Sequence, residues 1–243
     1  MGLAILDIGN TKIKLFSVNQ NFNLEYESLE WDEKKIKKKL ENFSKLIISN
    51  VRLDKSLVIS TVEKLDILYL YLTNETSLPI KLNYKTPKTL GKDRIATAVA
   101  AFEKFPNEHT LIFDIGSCMT IDFVNANGNF EGGRISPGLH MRLNAMHNQT
   151  GKLPLVDLSH PIVEIGKSTN EAILSGAFLG ILYEIEGTIA YFKKRYESIN
   201  IILTGGDANQ FDKRVKNSIF ADKFFLLKGL KHIFEYNEKK NLS

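Results

Sequence analysis

Residues 3–9 read Leu-Ala-Ile-Leu-Asp-Ile-Gly, and residues 111–116 read Leu-Ile-Phe-Asp-Ile-Gly. Each copy is a short apolar run that is typical of a buried strand and that ends in Asp-Ile-Gly. A polar turn and a second β-rich run follow both copies, over residues 10–18 and 117–124. Two such units, separated by about half the chain, predict a duplicated α/β domain. Because the match fades beyond the turns, a chance likeness between two strand–turn units is the alternative.

The rest of the chain alternates between apolar runs and helical patterns. Strands that alternate with helices indicate α/β architecture. We therefore expect two duplicated α/β domains, one over residues 1–109 and the other over residues 110–243. Strands are predicted at 46–49, 57–60, 79–82 and 201–206, and helices at 67–72, 94–105, 170–196, 211–219 and 228–237.

Composition excludes several classes of protein. The chain has 243 residues, of which 43% are hydrophobic, so wholesale disorder is not expected. Its single cysteine, Cys118, can form no internal disulfide, which fits a reducing cytosol. No apolar run approaches the roughly 18 residues of a membrane span, and the N-terminus lacks a secretory signal. We therefore expect a cytoplasmic protein without a membrane partner.

The positive charge of the chain is mild and partly local. The net charge is +4, and a lysine-rich run covers residues 34–39. Apolar residues recur at helical spacing from Ile36 to Ile47, so this run reads as the solvated side of an amphipathic helix rather than as a nucleic-acid patch. We expect no nucleic-acid partner.

The first Asp-Ile-Gly segment has the chemistry of a phosphate loop. Asp7 follows a strand and can hold a hydrated Mg²⁺, because Mg²⁺ keeps most of its waters and takes few carboxylates. Gly9 lets backbone N–H groups approach a ligand closely, and Asn10 and Thr11 can hold phosphate oxygens. The structural alternative is that the aspartate and the glycine merely close a tight turn.

The second copy, residues 114–117 (Asp-Ile-Gly-Ser), favours a two-loop clamp for a nucleoside triphosphate. Neither a Walker sequence nor G-x-G-x-x-G is present, so P-loop and dinucleotide-binding folds are disfavoured. Residues 204–206 (Thr-Gly-Gly) follow another apolar run. That glycine pair either lets a nucleotide pass or simply begins a helix with Asp207 as its cap.

Residues 91–94 read Gly-Lys-Asp-Arg and precede a helical pattern. Asp93 could simply cap that helix, with Gly91 in the turn. The functional interpretation is a substrate site, in which Asp93 accepts the proton of an attacking hydroxyl and Arg94 binds an anionic group bidentately. A lysine and an arginine beside a cap gain nothing from the start of a helix, which favours the functional interpretation.

Two further features are open or structural at this point. Residues 132–138 (Gly-Gly-Arg-Ile-Ser-Pro-Gly) form a loop dense in glycine and proline, for which function and ordinary loop structure are equally supported. The five histidines lack the spacing of metal ligands, and Cys118 has no evident His or Lys partner, so these residues read as structural.

Taken in order, these segments resemble the type III pantothenate kinases, which are bacterial enzymes of the acetate kinase, sugar kinase, heat-shock-protein-70 and actin superfamily. Each segment is weak alone, whereas the ordered set is specific and extends from end to end of the chain. The segments are 7–11 (DIGNT), 91–94 (GKDR), 114–117 (DIGS), 132–138 (GGRISPG), 168–169 (ST) and 204–206 (TGG).

The resemblance implies two ribonuclease-H-like (actin-like ATPase) domains with a cleft between them, a homodimer, and ATP-dependent phosphorylation of pantothenate's primary hydroxyl. It also implies Mg²⁺ and a monovalent cation, K⁺ or NH₄⁺, as cofactors. By motif match, Asp93 resembles the proton acceptor, Asp114 the monovalent-cation ligand, and Ser117 a residue that contacts nucleotide phosphate. The implied ATP segment is Asp7, Ile8, Gly9, Asn10, Thr11, Lys12, Ile13 and Lys14. The implied substrate-binding residues are Tyr84, Gly91, Lys92, Asp93, Arg94 and Thr169, the last of which reaches across the subunit interface.

One departure from the family pattern affects a single contact. Ser117-Cys118 stands where the family more often carries Thr and a small residue, so the phosphate contact of Ser117 is a weaker expectation than that of Asp7. Two alternatives remain: a kinase of the same superfamily that acts on another small hydroxylated substrate, and a non-enzymatic transcription accessory factor. The intact Asp7 and Asp93 argue against the second.

Overall fold

The structure is a computed structural model that describes residues 2–9, 13–18, 24–216 and 220–241. The chain divides into two compact units, each of which contains one β-sheet. Unit 1 comprises residues 1–79, 85–100 and 226–243, and unit 2 comprises residues 80–84 and 101–225.

Unit 1 contains a mixed sheet of five strands. These are β1 (Leu3–Ile8), β2 (Ile13–Val18), β3 (Leu24–Leu29), β4 (Lys45–Asn50) and β5 (Leu68–Tyr71). Their order across the sheet is β3-β2-β1-β4-β5. β1, β2 and β3 form an antiparallel meander, whereas β4 runs parallel to β1 and β5 runs parallel to β4.

Unit 2 contains a mixed sheet of six strands. These are β6 (Lys81–Leu82), β7 (Thr110–Ile115), β8 (Cys118–Val124), β9 (Asn129–Pro137), β10 (Asn200–Thr204) and β11 (Phe220–Ala221). Their order across the sheet is β11-β10-β7-β8-β9-β6. The helices of the described chain are α1 (Glu33–Leu40), α2 (Lys55–Val62), α3 (Lys92–Lys104), α4 (Leu139–Gln149), α5 (Thr169–Lys193) and α6 (Phe225–Asn241).

The two sheets repeat one topology. β7, β8 and β9 form an antiparallel meander as β1, β2 and β3 do, and β10 and β11 continue the sheet in parallel as β4 and β5 do. Asp7 lies opposite Ser49 of β4, and Asp114 lies opposite Thr204 of β10. Both aspartates therefore stand near the carboxyl end of a central strand with a parallel neighbour. The predicted duplication of an α/β unit is confirmed.

Each unit has an apolar core of its own. In unit 1, Ile36 and Leu40 lie one turn apart on α1 and pack with α2 against the sheet. In unit 2, α4 and α5 cover the sheet, and the rings of Phe178 and Phe211 stack with centroids 4.4 Å apart. These cores fix the strands whose carboxyl ends carry the predicted functional residues.

Three of the predicted elements were wrong. Residues 57–60 belong to α2 rather than to a strand, because the Asp54 side chain accepts hydrogen bonds from the N–H groups of Ser56 and Leu57 and begins a helix. Residues 67–72 contain β5 rather than a helix, since they pair with β4. Turns and irregular chain occupy residues 211–216, the described part of the predicted helix at 211–219, directly after a short 3₁₀ helix at Ala208–Gln210. The helical pattern from Ile36 to Ile47 gives a helix only as far as Leu40, since Ile47 belongs to β4. The other predicted elements are present; α6 is longer than predicted and β6 is shorter.

The C-terminal helix α6 packs within unit 1. Gly229 lies so close to α3 that a Cβ there would come within 1.7 Å of the carbonyl oxygen of Ala96. The Asn237 side chain donates to the carbonyl oxygen of Ser77 at 2.9 Å. The boundaries of the compact units therefore differ from the predicted domain boundary between residues 109 and 110. Compact units and duplicated domains are different descriptions, so the predicted domain bounds stay a prediction.

Helix α5 is long and apolar enough to cross a membrane if only length and composition are considered. This differs from the expectation that no apolar run approaches such a length. Half of the 18-residue apolar stretch of α5 is buried, and residues such as Leu174, Ile181 and Ile185 belong to the core of unit 2. The core helix of a soluble protein has the same properties, so α5 gives only weak support for a membrane span.

Candidate active site

Asp7 is the centre of a cluster of polar side chains in unit 1. Lys14 of β2 and Ser49 of β4 lie opposite it in the sheet. Burial raises the pKa of the Asp7 carboxyl group and the charge of Asp93 raises it further, whereas Lys14 and a hydrogen bond from Ser49 lower it. The fold thus brings together the predicted metal ligand, the predicted proton acceptor and a lysine of the predicted ATP segment.

Ser49 is a member of this cluster that the sequence analysis missed. Its side chain is buried at the carboxyl end of β4. The side-chain amide of the next residue, Asn50, stabilises this end of β4. It donates hydrogen bonds to the carbonyl oxygen of Leu53 at 2.9 Å and to the hydroxyl of Tyr71 at 2.8 Å. Position was the available signal, because ligands of α/β sheets bind at the carboxyl ends of parallel strands.

The remaining residues of the predicted ATP segment differ in what they can offer a ligand. Ile8 and Ile13 are fully buried in the core of unit 1, so only their backbone atoms can contact a ligand. Gly9 is half-buried at the end of β1. Three predicted residues, Asn10, Thr11 and Lys12, lie outside the described residues.

Gly91 and Asp93 fit each other closely at the start of α3. A Cβ on residue 91 would lie 2.4 Å from Oδ1 of Asp93, so a side chain there would displace the carboxylate. The N–H group of Arg94 donates to the same oxygen at 2.8 Å. Asp93 is exposed, whereas Arg94 is buried. The start of α3 therefore presents an oriented, solvent-facing carboxylate near Asp7.

Lys92 is held on the surface of unit 1 by a neighbouring loop. Its ammonium group donates to the side-chain oxygen of Asn74, and Asn74 donates in turn to the carbonyl oxygen of Lys88 at 2.8 Å. Burial lowers the pKa of Lys92, and the carboxylate of Glu75 opposes that shift. The hydrogen bond to Asn74 thus fixes the position of Lys92, a predicted substrate-binding cation that directly precedes Asp93 in the sequence.

Tyr84 belongs to unit 2 and packs on β9. Its ring lies with its centroid 5.9 Å from that of Phe130. A Cβ on Gly132, which has a φ of 97°, would lie 3.6 Å from the Tyr84 ring. The structure therefore places this predicted pocket residue against the segment at 132–138, and its contact with a substrate stays a prediction.

The second Asp-Ile-Gly loop lies directly against the glycine pair that follows β10. Gly205 has a φ of 97°, and a Cβ there would lie 2.5 Å from Oδ1 of Asp114 and 2.4 Å from the carbonyl oxygen of Ile115. The N–H group of Asp207 donates to that carbonyl oxygen at 2.9 Å. Only glycine suits this combination of conformation and close approach.

The segment at 132–138 was predicted to be a loop, but residues 132–137 belong to strand β9, because they pair with β8. The segment ends against the second Asp-Ile-Gly loop. A Cβ on Gly138 would lie 2.0 Å from the carbonyl oxygen of Gly116. The N–H group of Gly138 donates to the carbonyl oxygen of Ser117 at 3.1 Å. Three glycine-containing segments thus converge in unit 2, which favours the functional interpretation that the sequence had left open for two of them.

Asp207 is a second residue whose setting the sequence did not reveal. It was assigned only as a possible helix cap, yet its side chain makes no capping hydrogen bond to the short helix that follows. Burial raises the pKa of its carboxyl group, and His140 at the start of α4 opposes the shift. A carboxylate directly after a glycine pair was the signal available in the sequence.

Two further predicted features concern metals and the subunit interface. Within the described ranges, no group of three or more His, Cys, Asp or Glu side chains could hold a metal ion. Mg²⁺ in kinases needs only one or two carboxylates in addition to substrate phosphates, so Asp7 alone still fits it. Thr169 is exposed at the first position of α5, where Ser168 caps the helix by accepting from the N–H of Glu171.

Comparison with known proteins identifies the family. The sequence model described as type III pantothenate kinase matches residues 3–191. The type III pantothenate kinase of Bacteroides fragilis (strain YCH46) is 42% identical over 96% of this chain and 97% of its own length. That of Flavobacterium johnsoniae is 41% identical over 96% of this chain and 98% of its own length.

Solved structures of more distant proteins share the fold. A Baf family protein from Campylobacter jejuni has a TM-score of 0.64 at 22% identity and covers 97% of this chain and 99% of its own. The Lmo2764 protein of Listeria monocytogenes has a TM-score of 0.56 at 13% identity, over 98% and 100% of the two chains. At these identities the likeness shows the fold alone, and it agrees with the predicted α/β class with two sheets. The family model and these relatives show that the chain belongs to the type III pantothenate kinase family.

Proposed function

We infer that this chain phosphorylates pantothenate with ATP to give 4'-phosphopantothenate, the first step of coenzyme A biosynthesis. Membership of the family carries this conclusion, since relatives that are 41–42% identical over nearly the whole chain are named for this activity. The paired Asp7 and Asp93 of unit 1 supply the carboxylates that such a reaction needs.

Asp93 is the proposed acceptor of the proton from the pantothenate hydroxyl. Its carboxylate is exposed and is oriented by the N–H group of Arg94. Phosphoryl transfer passes through a loose transition state, so holding the hydroxyl in line contributes more than base strength. The carboxylate need not be a strong base, because the hydroxyl becomes acidic only as its bond to phosphorus forms.

Asp7 is the proposed ligand of Mg²⁺, which it contacts through water. A partly buried carboxylate beside a second carboxylate is disfavoured in its charged form, and a divalent cation relieves both penalties. When bound, Mg²⁺ neutralises charge on the phosphates of ATP. Ser49 orients Asp7, and Lys14 places a fixed positive charge beside it. The segment at 7–14 binds the triphosphate in this proposal.

The second Asp-Ile-Gly loop is the proposed nucleotide-binding contribution of unit 2. Ser117 contacts a phosphate group, and Asp114 holds K⁺ or NH₄⁺. The close approach of Gly205 and Gly138 to this loop supports a role that depends on its backbone, because both glycines leave it uncrowded by side chains. Backbone N–H groups fixed in this way stabilise charge that develops on phosphate oxygens.

Pantothenate carries a carboxylate, and the start of α3 carries cations suited to bind it. Lys92 is held in place by Asn74, and Arg94 follows Asp93 directly. Arginine binds carboxylates through two parallel hydrogen bonds, which fixes their orientation. Gly91 keeps space for the Asp93 carboxylate, and Tyr84 is proposed to complete the binding of the substrate.

A homodimer is the proposed assembly, and the cytoplasm the proposed location. Unit 2 exposes several large apolar side chains, which is typical of surfaces that bind another chain. Thr169 is exposed at the start of α5, so it is available to bind substrate held by a partner subunit. The exposed apolar residues of unit 2 include Ile135, Met141, Leu155, Ile165, Tyr183 and Tyr191.

A substrate panel tests the proposed function. ADP release is measured in a coupled assay with pantothenate and with a set of small sugars and hydroxy acids, each with and without K⁺. The proposal expects release to depend on pantothenate. Release that depends on another acceptor would instead support a different kinase of the superfamily. A DNA mobility shift that persists at raised salt, without kinase activity, would support the accessory-factor alternative.

A further inference from the structure

An ion pair connects α4 and α5 in unit 2. Nη2 of Arg142 lies 2.7 Å from Oε2 of Glu184, and the side chains are 22% and 27% exposed. The same carboxylate oxygen accepts a hydrogen bond from the hydroxyl of Ser136 at 3.2 Å. A partly buried pair with a further hydrogen bond is held more firmly than an exposed pair, whose contribution is small.

Arg142 also holds the turn between β9 and α4. Its Nε donates to the carbonyl oxygen of Pro137 at 2.8 Å, and its backbone N–H donates to the carbonyl oxygen of Gly138 at 3.0 Å. Gly180 of α5 leaves room for the guanidinium group, since a Cβ there would lie 3.0 Å from Nη1. The planar fork of arginine reaches the carbonyl oxygen and the carboxylate together, which the single ammonium group of lysine cannot do in the same geometry.

The turn held by Arg142 supports the second phosphate loop. Pro137 pairs with Cys118 in the β8–β9 ladder. Gly138 donates to the carbonyl oxygen of Ser117 and lies against that of Gly116, without room for a Cβ. A displacement of this turn therefore displaces the backbone at 116–117.

We propose that the Arg142–Glu184 pair is a positioning element for the nucleotide. It fixes Pro137 and Gly138 and thereby presents the backbone at 116–117 to the phosphates of ATP. This inference rests on the proposed function in one respect, namely that the second Asp-Ile-Gly loop binds nucleotide. Arg142 and Glu184 act through the turn and not on the reacting atoms.

Two substitutions test the pair from opposite sides. Glu184→Gln removes the charge, and Arg142→Lys keeps a charge but removes the Nε donor to Pro137. Each should raise both the KM for ATP and the Kd for ADP by about tenfold, as expected for loss of a charged hydrogen bond. The KM for pantothenate should stay within about twofold. The hydrogen bonds of Arg142 and Glu184 lie within unit 2, whereas the predicted substrate segment at 91–94 belongs to unit 1, and residues in separate networks act independently.

Thr188→Val is the matched control. Thr188 lies one turn further along α5 and accepts a hydrogen bond from Nη1 of Arg134 at 3.2 Å, so it joins the same strand and helix without holding the turn. This variant should keep the wild-type ATP and ADP constants even where its Tm falls. Tm is measured for every variant, so that loss of stability is distinguished from loss of nucleotide affinity.

The possible results separate the two levels of inference. Unchanged nucleotide constants in Glu184→Gln and Arg142→Lys overturn the proposal, and so does an equal rise in the KM values for ATP and pantothenate. ADP binding is measured by calorimetry without pantothenate. A wild-type protein that binds ADP but does not phosphorylate pantothenate contradicts the proposed function while the test of the ion pair still stands. A wild-type protein that does not bind ADP overturns both.

Discussion

The carboxylates of Asp7 and Asp93 lie close enough for the charge of Asp93 to raise the pKa of Asp7. Asp7 lies near the carboxyl end of β1, the central strand of unit 1, and Asp93 lies in the first turn of α3, so the fold itself brings the two acids together. Placing a partly buried carboxylate beside another carboxylate opposes stability, and such arrangements concentrate at functional sites. This relationship is the physical basis of the assignment of the two residues to metal binding and proton acceptance.

The raised pKa of Asp7 predicts that the protein without ligands loses stability as the pH rises. The ordinary value is 3.8 and the folded value lies above it, so the folded chain binds more protons between the two. The stabilising effect is complete below 3.8 and is lost as the pH rises through the folded value. Asp7→Asn should therefore raise Tm at neutral pH by about 2–4 °C, the shift that ~1 kcal/mol gives in a chain of this length.

This prediction is checked by measuring the Tm of Asp7→Asn and of the wild type by calorimetry in EDTA, from pH 8 down to the lowest pH at which both proteins fold. The gain in Tm should shrink as the pH falls. In separate scans at neutral pH, with Mg²⁺ and ATP in place of EDTA, the variant should lack the stabilisation that the wild type gains. Asp66→Asn, which alters an exposed aspartate of the same unit, is the control and should leave Tm nearly unchanged. A gain for Asp7→Asn that is absent, or independent of pH, would contradict the account.

Ser49→Ala should weaken the function of Asp7 without removing it. The Ser49 hydroxyl lowers the pKa of Asp7, so its loss should move the acidic limb of the kcat/KM profile to higher pH. The KM for MgATP should rise by about three- to tenfold, as expected for one lost hydrogen bond to a charged group. Ser60→Ala, at an exposed serine of α2, serves as control. An unshifted acidic limb would remove Ser49 from this role.

Neighbouring glycines give a sharp test of the second phosphate loop. Gly205→Ala places a Cβ 2.5 Å from Oδ1 of Asp114 and requires an alanine to adopt the left-handed backbone conformation. The substitution should therefore destabilise unit 2 by about 1–3 kcal/mol and raise the KM for ATP. Gly206→Ala meets no heavy atom within 4 Å and should be nearly neutral. Equal behaviour of the two variants in thermal unfolding and in ATP kinetics would show that the close approach is unimportant.

Asp114→Asn should abolish activation by monovalent cations, because the carboxylate supplies the charge that a weakly bound K⁺ requires. The measurement is the initial rate across a K⁺ titration at constant ionic strength, with Na⁺ as the comparison ion. The variant should show a low rate that does not depend on K⁺, whereas Gly206→Ala should keep the wild-type response. A variant that retains full K⁺ dependence would refute the assignment of Asp114.

The repeated strand–turn unit could be predicted because its signal is local. A short apolar run that ends in Asp-Ile-Gly specifies a buried strand, a tight turn and a polar edge together. The prediction of a strand at residues 57–60 was wrong because a run of Leu, Val, Ile and Ser fits a strand or a helix equally well. The outcome depended on Asp54, whose side chain caps the N-terminus of α2.

The unpredicted parts of the site depend on contacts between distant segments. Ser49 carries no motif, and its role arises from the register that sets β4 beside β1. The same applies to Arg142 and Glu184, which meet only when α4 and α5 are packed. Segments 132–138 and 204–206 were recognised as special in sequence, but their convergence on one loop needed the fold of unit 2.

The most direct test of the central claim compares the wild-type protein with Asp93→Asn in pantothenate-dependent ADP release, together with ADP binding by calorimetry. The account predicts that the wild type phosphorylates pantothenate and that the variant loses about 10²–10⁴ in kcat while its affinity for ADP is retained. Wild-type turnover by Asp93→Asn, or a wild-type protein that is inactive on pantothenate, would contradict it.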